Sequence, residues 1–210
     1  MEIPILLQIF VLLFSVIIHE ISHGYTALYF GDKTAEYEGR LTLNPISHID
    51  LWGTIIIPLS LALIPGAPMI GWAKPVPYNP YNLRNQKIAE PLVALAGPAS
   101  NFCLALIFGT LTRVLSTMPA YANSSLIGIF MFVTLVNITL GLFNLIPIPP
   151  LDGSKVLFSI FPLGGRFIFS ELARWFGLIL VFAVIIFAPG IISPLVSAVF
   201  FYITGIHISM

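Results

Sequence analysis

Residues 3–30 read IPILLQIFVLLFSVIIHEISHGYTALYF, an otherwise apolar run that carries His19-Glu20-Ile21-Ser22-His23 in its C-terminal half. Side chains four apart share one face of a helix, so both imidazoles can grip one cation. The carboxylate beside the first can activate a water held there, and this HExxH spacing is a zinc-hydrolase signature. The run is also long enough to span a bilayer, which takes roughly 20 helical residues. Ionisable groups inside such a segment are costly and usually mark function. The stretch therefore predicts a first membrane span that carries metal chemistry, of the peptide-cleaving kind, within or next to the lipid.

Composition agrees. Of 210 residues, 58% are hydrophobic and 9% charged, with a mean hydropathy of +0.98. A soluble domain carries about 25% charged residues, so a solvated globular surface is excluded and a multi-span membrane protein is expected. The net charge is zero and there is no basic run, which argues against nucleic acid and polybasic lipid binding. The single cysteine, Cys103, rules out an internal disulfide and any CxxC site, and is expected to be a small buried apolar residue. The first run lacks a positive n-region, Glu2 being its early charge, and no small-x-small cleavage pattern follows. It reads as an uncleaved span rather than a signal peptide.

Apolar stretches fall at about 3–30, 51–65, 91–116, 126–151 and 172–206, and the segments between them are too short for a separate soluble domain. The chain reads as one integral-membrane domain over 1–210. The 51–65 run is short and interrupted by Pro58 and Pro65, which suggests a re-entrant segment rather than a span. The last run could be two helices turning at Pro189-Gly190 or one kinked helix. Between the first two runs, Arg40-Leu41-Thr42-Leu43 alternates with the period of a half-exposed strand, with Gly39 as a turn and Asn44-Pro45 as a stop. A strand there could pair with an extended substrate. The expected fold is all-α and multi-span, with a short membrane-associated β-hairpin or strand and one re-entrant segment.

A catalytic zinc takes three protein ligands and keeps one open position. His19 and His23 supply two, and Asp152 is the outstanding candidate for the third. It ends Asn144-Leu-Ile-Pro-Ile-Pro-Pro-Leu-Asp152-Gly153, where prolines break the helix and Gly153 permits a sharp bend. Irregular backbone at membrane depth is tolerated where protein or a cavity surrounds it. The competitors are His48 and Asp50, either of which could be a ligand or stand behind one, and His207, close to the C-terminal end of the sequence.

Together these residues resemble the site-2 protease family of intramembrane zinc metalloproteases. The resemblance rests on HEISH at 19–23, GRLTLNPISHID at 39–50, GWAKPVPYNP at 71–80, GPASN at 97–101 and NLIPIPPLDG at 144–153, in the family's order. The short loops fit the compact form without a PDZ or CBS domain. The resemblance implies one Zn2+ per chain held by His19, His23 and Asp152, with Glu20 as general acid/base. It implies that Asn144 helps hold the substrate or its oxyanion, and that Gly97, Pro98 and Asn101 belong to a helix-packing motif. Leu51 stands where the related subgroup has proline, and residues 156–210 carry no recognisable motif.

For the two histidines and Asp152 to meet, the ends of the first span and the 126–151 span must lie at the same face. That requires 51–65 not to cross. Lys33, Arg40, Lys74, Arg84, Lys87, Lys155, Arg166 and Arg174 then share that face and Arg113 takes the other, which makes the crowded face cytoplasmic. The expected protein is a multi-pass cell-membrane peptidase, open to the cytosol, whose partners are the bilayer and membrane-protein or membrane-peptide substrates. A metal transporter and an inactive scaffold are the readings from other classes.

Overall fold

A computed structural model of the chain describes residues 3–63, 73–121, 124–160 and 189–208. Among the described residues the regular structure is helical: α1 (Ile5–Tyr29), α2 (Thr34–Tyr37), α3 (Ile57–Ala62), α4 (Gln86–Ser116), α5 (Ser125–Asn144), α6 (Asp152–Ile160) and α7 (Pro189–Thr204). Three of them, α1, α4 and α5, are long and apolar enough to cross a membrane. Their outward faces carry Leu6, Ile9, Phe10, Leu106, Ile107 and Val114, all exposed, while Ser15, His19, Asn101, Thr112, Thr134 and Asn137 are buried between the helices. Polar side chains inside and apolar ones outside is the arrangement lipid demands. Cys103 lies on the outward face and is exposed, contrary to the buried position expected for it.

Side-chain pairs give the helix directions. Passing from Ser15 to His23, α1 meets Asn101 and then Val93 of α4, so the two run antiparallel. Along α4, Asn101 meets Asn137 and Phe108 meets Phe130, so α5 is antiparallel to α4 and parallel to α1. The C-terminal halves of α1 and α5 therefore end on the same side, as the shared-metal argument requires. The backbone N–H of Arg84 donates to Phe30 O at 2.7 Å, which ties the entrance of α4 to the exit of α1. Between those two points the chain makes no net crossing.

The connection departs from expectation in two places. Residues 40–43 form no strand. Their backbone polar groups go elsewhere: the Arg40 N–H donates to Ala35 O and closes α2, and Thr42 O pairs with the His48 ring. Nor does burial alternate, since Arg40 is 6% exposed, Leu41 and Thr42 are both half-buried and Leu43 is 58% exposed. Arg40 is drawn inward because its guanidinium donates to Lys74 O and Pro75 O, a demand that outweighs a four-residue period. A re-entrant loop is likewise not what the described residues show. Leu51–Ile56 is a π-helical turn that leads directly into α3, capped by Asp50, whose carboxylate accepts from the Trp52 and Gly53 amides. At 1.5 Å per residue this helical stretch is about 18 Å long, well short of the ~30 Å hydrocarbon layer. The return leg that a re-entrant path needs falls at 64–72, outside the described residues.

α4 is the centre of the bundle, packing on α1, α5, α6 and α7. Two apolar clusters hold it. Ala27, Leu83, Ala89 and Val93, with Phe30 and Tyr78, join α1 and α4 at the end where the connection enters. Ala105, Ile138, Val196 and Phe200 join α4, α5 and α7 toward the other end. Of the expected 172–206 segment, the described part is the helix α7; 172–188 lies outside the described residues.

Candidate metal centre

His19 and His23 face α4 from the C-terminal half of α1, and Asp152 opens α6 just beyond the proline-broken end of α5. Oδ2 of Asp152 lies 3.0 Å from Nε2 of His19 and 3.1 Å from Nε2 of His23, and the two Nε2 atoms are 3.1 Å apart. All three residues are buried. Among the described residues this is the one group of three or more His, Cys, Asp or Glu close enough to hold a metal ion. It contains both motif histidines and the carboxylate that sequence reasoning ranked first.

Each corner of the triangle has an outer partner. Nδ1 of His19 lies 2.6 Å from Oδ1 of Asn101, and Nδ1 of His23 lies 2.6 Å from the carbonyl of Val93. Both partners are acceptors, so both Nδ1 atoms carry hydrogen and both Nε2 atoms present lone pairs. Lys155 Nζ donates to Oδ1 of Asp152 at 3.0 Å, leaving Oδ2 for the imidazoles. Lys155 also lies over the Tyr78 ring, 6.0 Å from its centroid. Burial works against the Lys155 charge, but the Asp152 carboxylate outweighs it and raises the lysine above its usual value.

Two small residues make room. A side-chain carbon on Gly97 would stand 2.6 Å from His19 Nε2 and collide with His23 Nε2 as well, so the α4 backbone itself forms the wall of the site. Gly153 is required for a different reason from the one expected. It sits in α6 with its α-carbon against the Leu145 and Ile146 carbonyls, where any side chain would strike the end of α5. Close approach, rather than a sharp bend, selects glycine beside Asp152.

The remaining candidates divide. Glu20 is half-buried, and its Oε2 accepts the Val76 amide at 2.8 Å. Asn144 ends α5, where its Nδ2 donates to Leu140 O at 3.0 Å. His48 is fully buried and its Nε2 lies 2.8 Å from Thr42 O; it is not among the hydrogen-bonding partners of His19, His23 or Asp152 described above. Asp50 is a helix cap, and His207 is exposed, stacked on Phe201 at 4.0 Å.

The segment 73–79 is a feature that sequence reasoning did not place. The Lys74 N–H donates to His48 O, the Val76 N–H to Glu20, and the Asn79 N–H to Asp32. It crosses the exit of α1 as a strap, held at each end and touching the HExxH glutamate between. Backbone amides leave no mark on a sequence, although the closely spaced prolines 75, 77 and 80 do signal an extended, preorganised path.

Three lone-pair donors cannot face one another at such distances without positive charge among them. A proton turns the triangle into an imidazolium–carboxylate pair. In that state burial raises the Asp152 carboxyl, while its hydrogen bonds to His19 and His23, with the charges of His23 and Lys155, outweigh burial and hold it well below the usual carboxylate range. A divalent cation satisfies all three donors at once. Two imidazoles and one carboxylate form a catalytic zinc set, whose ligand atoms stand about 3.3–3.5 Å apart for bonds of about 2.0–2.2 Å. The observed triangle reaches that spacing by movements of a few tenths of an ångström, so the residues fit zinc.

Comparison with known proteins agrees. The sequence pattern of Peptidase family M50 matches residues 7–121 and 113–188. The chain is 41% identical over 185 residues to "Putative zinc metalloprotease YwhC" of Bacillus subtilis, covering 85% of this chain and 78% of that protein. It is 35% identical over 145 residues to "Putative zinc metalloprotease Rip2" of Mycolicibacterium smegmatis, covering 69% of this chain and 53% of that one. It is 33% identical over 147 residues to "Putative zinc metalloprotease MJ0611" of Methanocaldococcus jannaschii, covering 67% of this chain and 63% of that one. No solved structure matches. The chain belongs to peptidase family M50, the site-2 protease family of membrane metalloproteases.

Proposed function

We propose that this protein is an intramembrane protease that hydrolyses peptide bonds within or near the transmembrane segments of membrane-protein substrates. It uses one zinc ion held by His19, His23 and Asp152. The observation that carries the reading is the buried triangle of two imidazole nitrogens and one carboxylate oxygen, with the adjacent Glu20 carboxylate beside it in the motif. When bound, zinc supplies a Lewis acid that acidifies a water and polarises the scissile carbonyl.

The chain's own groups supply the rest. Glu20 takes the proton of the attacking water on the oxygen not engaged by Val76 and returns it to the leaving nitrogen. The Asn144 amide has a second hydrogen to donate toward a tetrahedral oxyanion, a contact worth about 2.7–4 kcal/mol in comparable sites. The strap 73–79 holds one oxygen of Glu20 through the Val76 amide and leaves the other for the water. A helical substrate has its amides engaged in its own ladder and must unwind locally before one of them can react.

The site opens toward the cytosol in this reading. Lys33, Arg40, Lys74, Arg84, Lys87 and Lys155 share the end at which α1 and α5 finish, against Arg113 at the far end of α4. That asymmetry supports a basic end on the cytoplasmic side of a cell-membrane protein. Cleavage of a transmembrane peptide by the purified protein is the test, with Glu20→Gln and a zinc chelator as controls. Loss of cleavage in both supports the reading. Equal cleavage by Glu20→Gln defeats it, whereas a transporter or an inactive scaffold would cleave nothing at all.

A further inference from the structure

Behind His19, away from the metal face, a chain of buried side chains passes through all three long helices. Asn101 Oδ1 faces His19 Nδ1 at 2.6 Å. The other end of the same amide, Nδ2, donates to Asn137 Oδ1 at 2.9 Å and, over a longer 3.4 Å, to the Ser15 carbonyl. Asn137 Nδ2 in turn donates to Ser15 Oγ at 2.9 Å and to Val133 O at 2.9 Å. Ser15 lies one helical turn before His19, so the chain closes on the helix from which it started. Asn101 and Asn137 are fully inaccessible, and Ser15 is buried.

Such groups in a bilayer are costly, and packing alone would be served by leucine or alanine. Their arrangement does something that apolar residues cannot. An amide is nearly symmetric in shape, so the end that Asn101 turns toward His19 is decided by its other partners. Asn137 offers its oxygen to Asn101, because its nitrogen is already committed to Ser15 and Val133. Asn101 must therefore turn its nitrogen to Asn137 and its oxygen to His19. An oxygen there requires hydrogen on Nδ1 and so leaves Nε2 bare, the form a metal ligand needs. The reverse orientation would put hydrogen on Nε2 and close the site to any cation.

We propose that Asn137, through Asn101, is a positioning residue that sets the tautomer of His19 and thereby the affinity of the site for zinc. The inference rests on the reading of His19, His23 and Asp152 as a zinc site. It adds that a residue of α5 which does not touch the imidazole governs whether one ligand can bind. The Nδ1 of His23 faces a backbone carbonyl directly, whereas that of His19 faces a side-chain amide whose two ends could exchange.

The experiment measures zinc affinity of the purified full chain in detergent by competition with a chelator, alongside thermal unfolding of the metal-free forms. Asn137→Leu removes the shorter of the two contacts that orient Asn101, leaving the 3.4 Å one to Ser15 O, and should weaken zinc binding about 10-fold or more, toward the usual range for such outer partners. Asn137→Asp keeps an oxygen toward Asn101 and should bind within a few-fold of wild type. Should Asn137→Leu fail to fold, Asn101→Asp against Asn101→Leu makes the same comparison one residue inward. Asp, ionised or protonated, still presents an acceptor to Nδ1; Leu does not. Wild-type affinity in the leucine variants, or aspartate variants as weak as the leucine ones, would overturn the proposal while leaving the zinc site intact. Absence of zinc binding by the wild type would instead remove the underlying reading, and this one with it.

Discussion

Lys155 Nζ stands 3.0 Å from Oδ1 of Asp152, one helical turn along α6, while Oδ2 of the same carboxylate faces both imidazoles. The two oxygens thus have separate partners, and in the proposed zinc site the lysine would leave the carboxylate one atom with which to ligate. Replacing Lys155 by Met keeps the aliphatic stem and removes the charge. The carboxylate is then free to rotate, and zinc affinity should fall about 10-fold or more, as for other outer partners of metal ligands. Lys155→Arg should restore most of it. Chelator competition measures both, and equal affinities for the Met variant and wild type would show that the pair is decorative.

Gly97 makes a sharper prediction. Its hydrogen is all that separates α4 from the two imidazoles. Gly97→Ala should displace at least one ring, lower zinc affinity more than 10-fold, and destabilise the bundle by about 1–3 kcal/mol through overpacking. Gly128→Ala is the control: a methyl group there meets nothing within 4 Å. Unfolding scans and zinc titration of the two variants should separate cleanly.

These side chains were unequally legible in the sequence. His19, Glu20, His23 and Asp152 stand out because an ionisable group in an apolar run has little reason to be there except chemistry. Asn101 was visible only as part of a packing motif, although its amide is the partner of His19. Its contact joins residues 82 apart and is decided by how α4 crosses α1. Arg40 misled for the opposite reason. Its local alternation suggested a strand, but its guanidinium is satisfied by carbonyls 34 and 35 residues away. Long polar side chains bond wherever tertiary structure offers an acceptor, and a period of two over four residues carries too little weight to resist. The strap's hold on Glu20 was beyond reach altogether, since the donor is a main-chain N–H.

That hold gives the Glu20 substitution a second readout. In Glu20→Gln the amide oxygen can still accept from Val76, so the strap should stay and both zinc affinity and unfolding temperature should change little. Cleavage should fall by a factor of at least 10²–10⁴, the range for removing a general base. Glu20→Leu should lose cleavage equally and also loosen 73–79, seen as faster amide hydrogen exchange at Val76. If the exchange rates of the two variants are the same, the 2.8 Å contact does not hold the strap.

Asp32 ties the exit of α1 to the entrance of α4, and its stability contribution depends on pH. Its carboxylate accepts from the Thr34 hydroxyl and amide, from Asn82 Nδ2 and from the Asn79 amide. Burial raises its pKa, but the hydrogen bonds from Thr34, Asn82 and Asn79 outweigh burial and hold the group below its ordinary value of 3.8. A depressed folded-state value means that the unfolded chain binds the proton more readily. The stabilisation is therefore complete above the unfolded value of about 4, and is lost as pH falls through the lower folded value. Asp32→Asn keeps one acceptor oxygen and loses the charge, so it should be less stable at pH 7 by about 1–3 kcal/mol. Its unfolding temperature should also decline less between pH 5 and pH 3 than that of wild type, roughly the window over which such a carboxylate takes up its proton. Unfolding scans of both proteins in detergent across that range provide the measurement, and parallel declines would mean that Asp32 does not hold the connection through its charge.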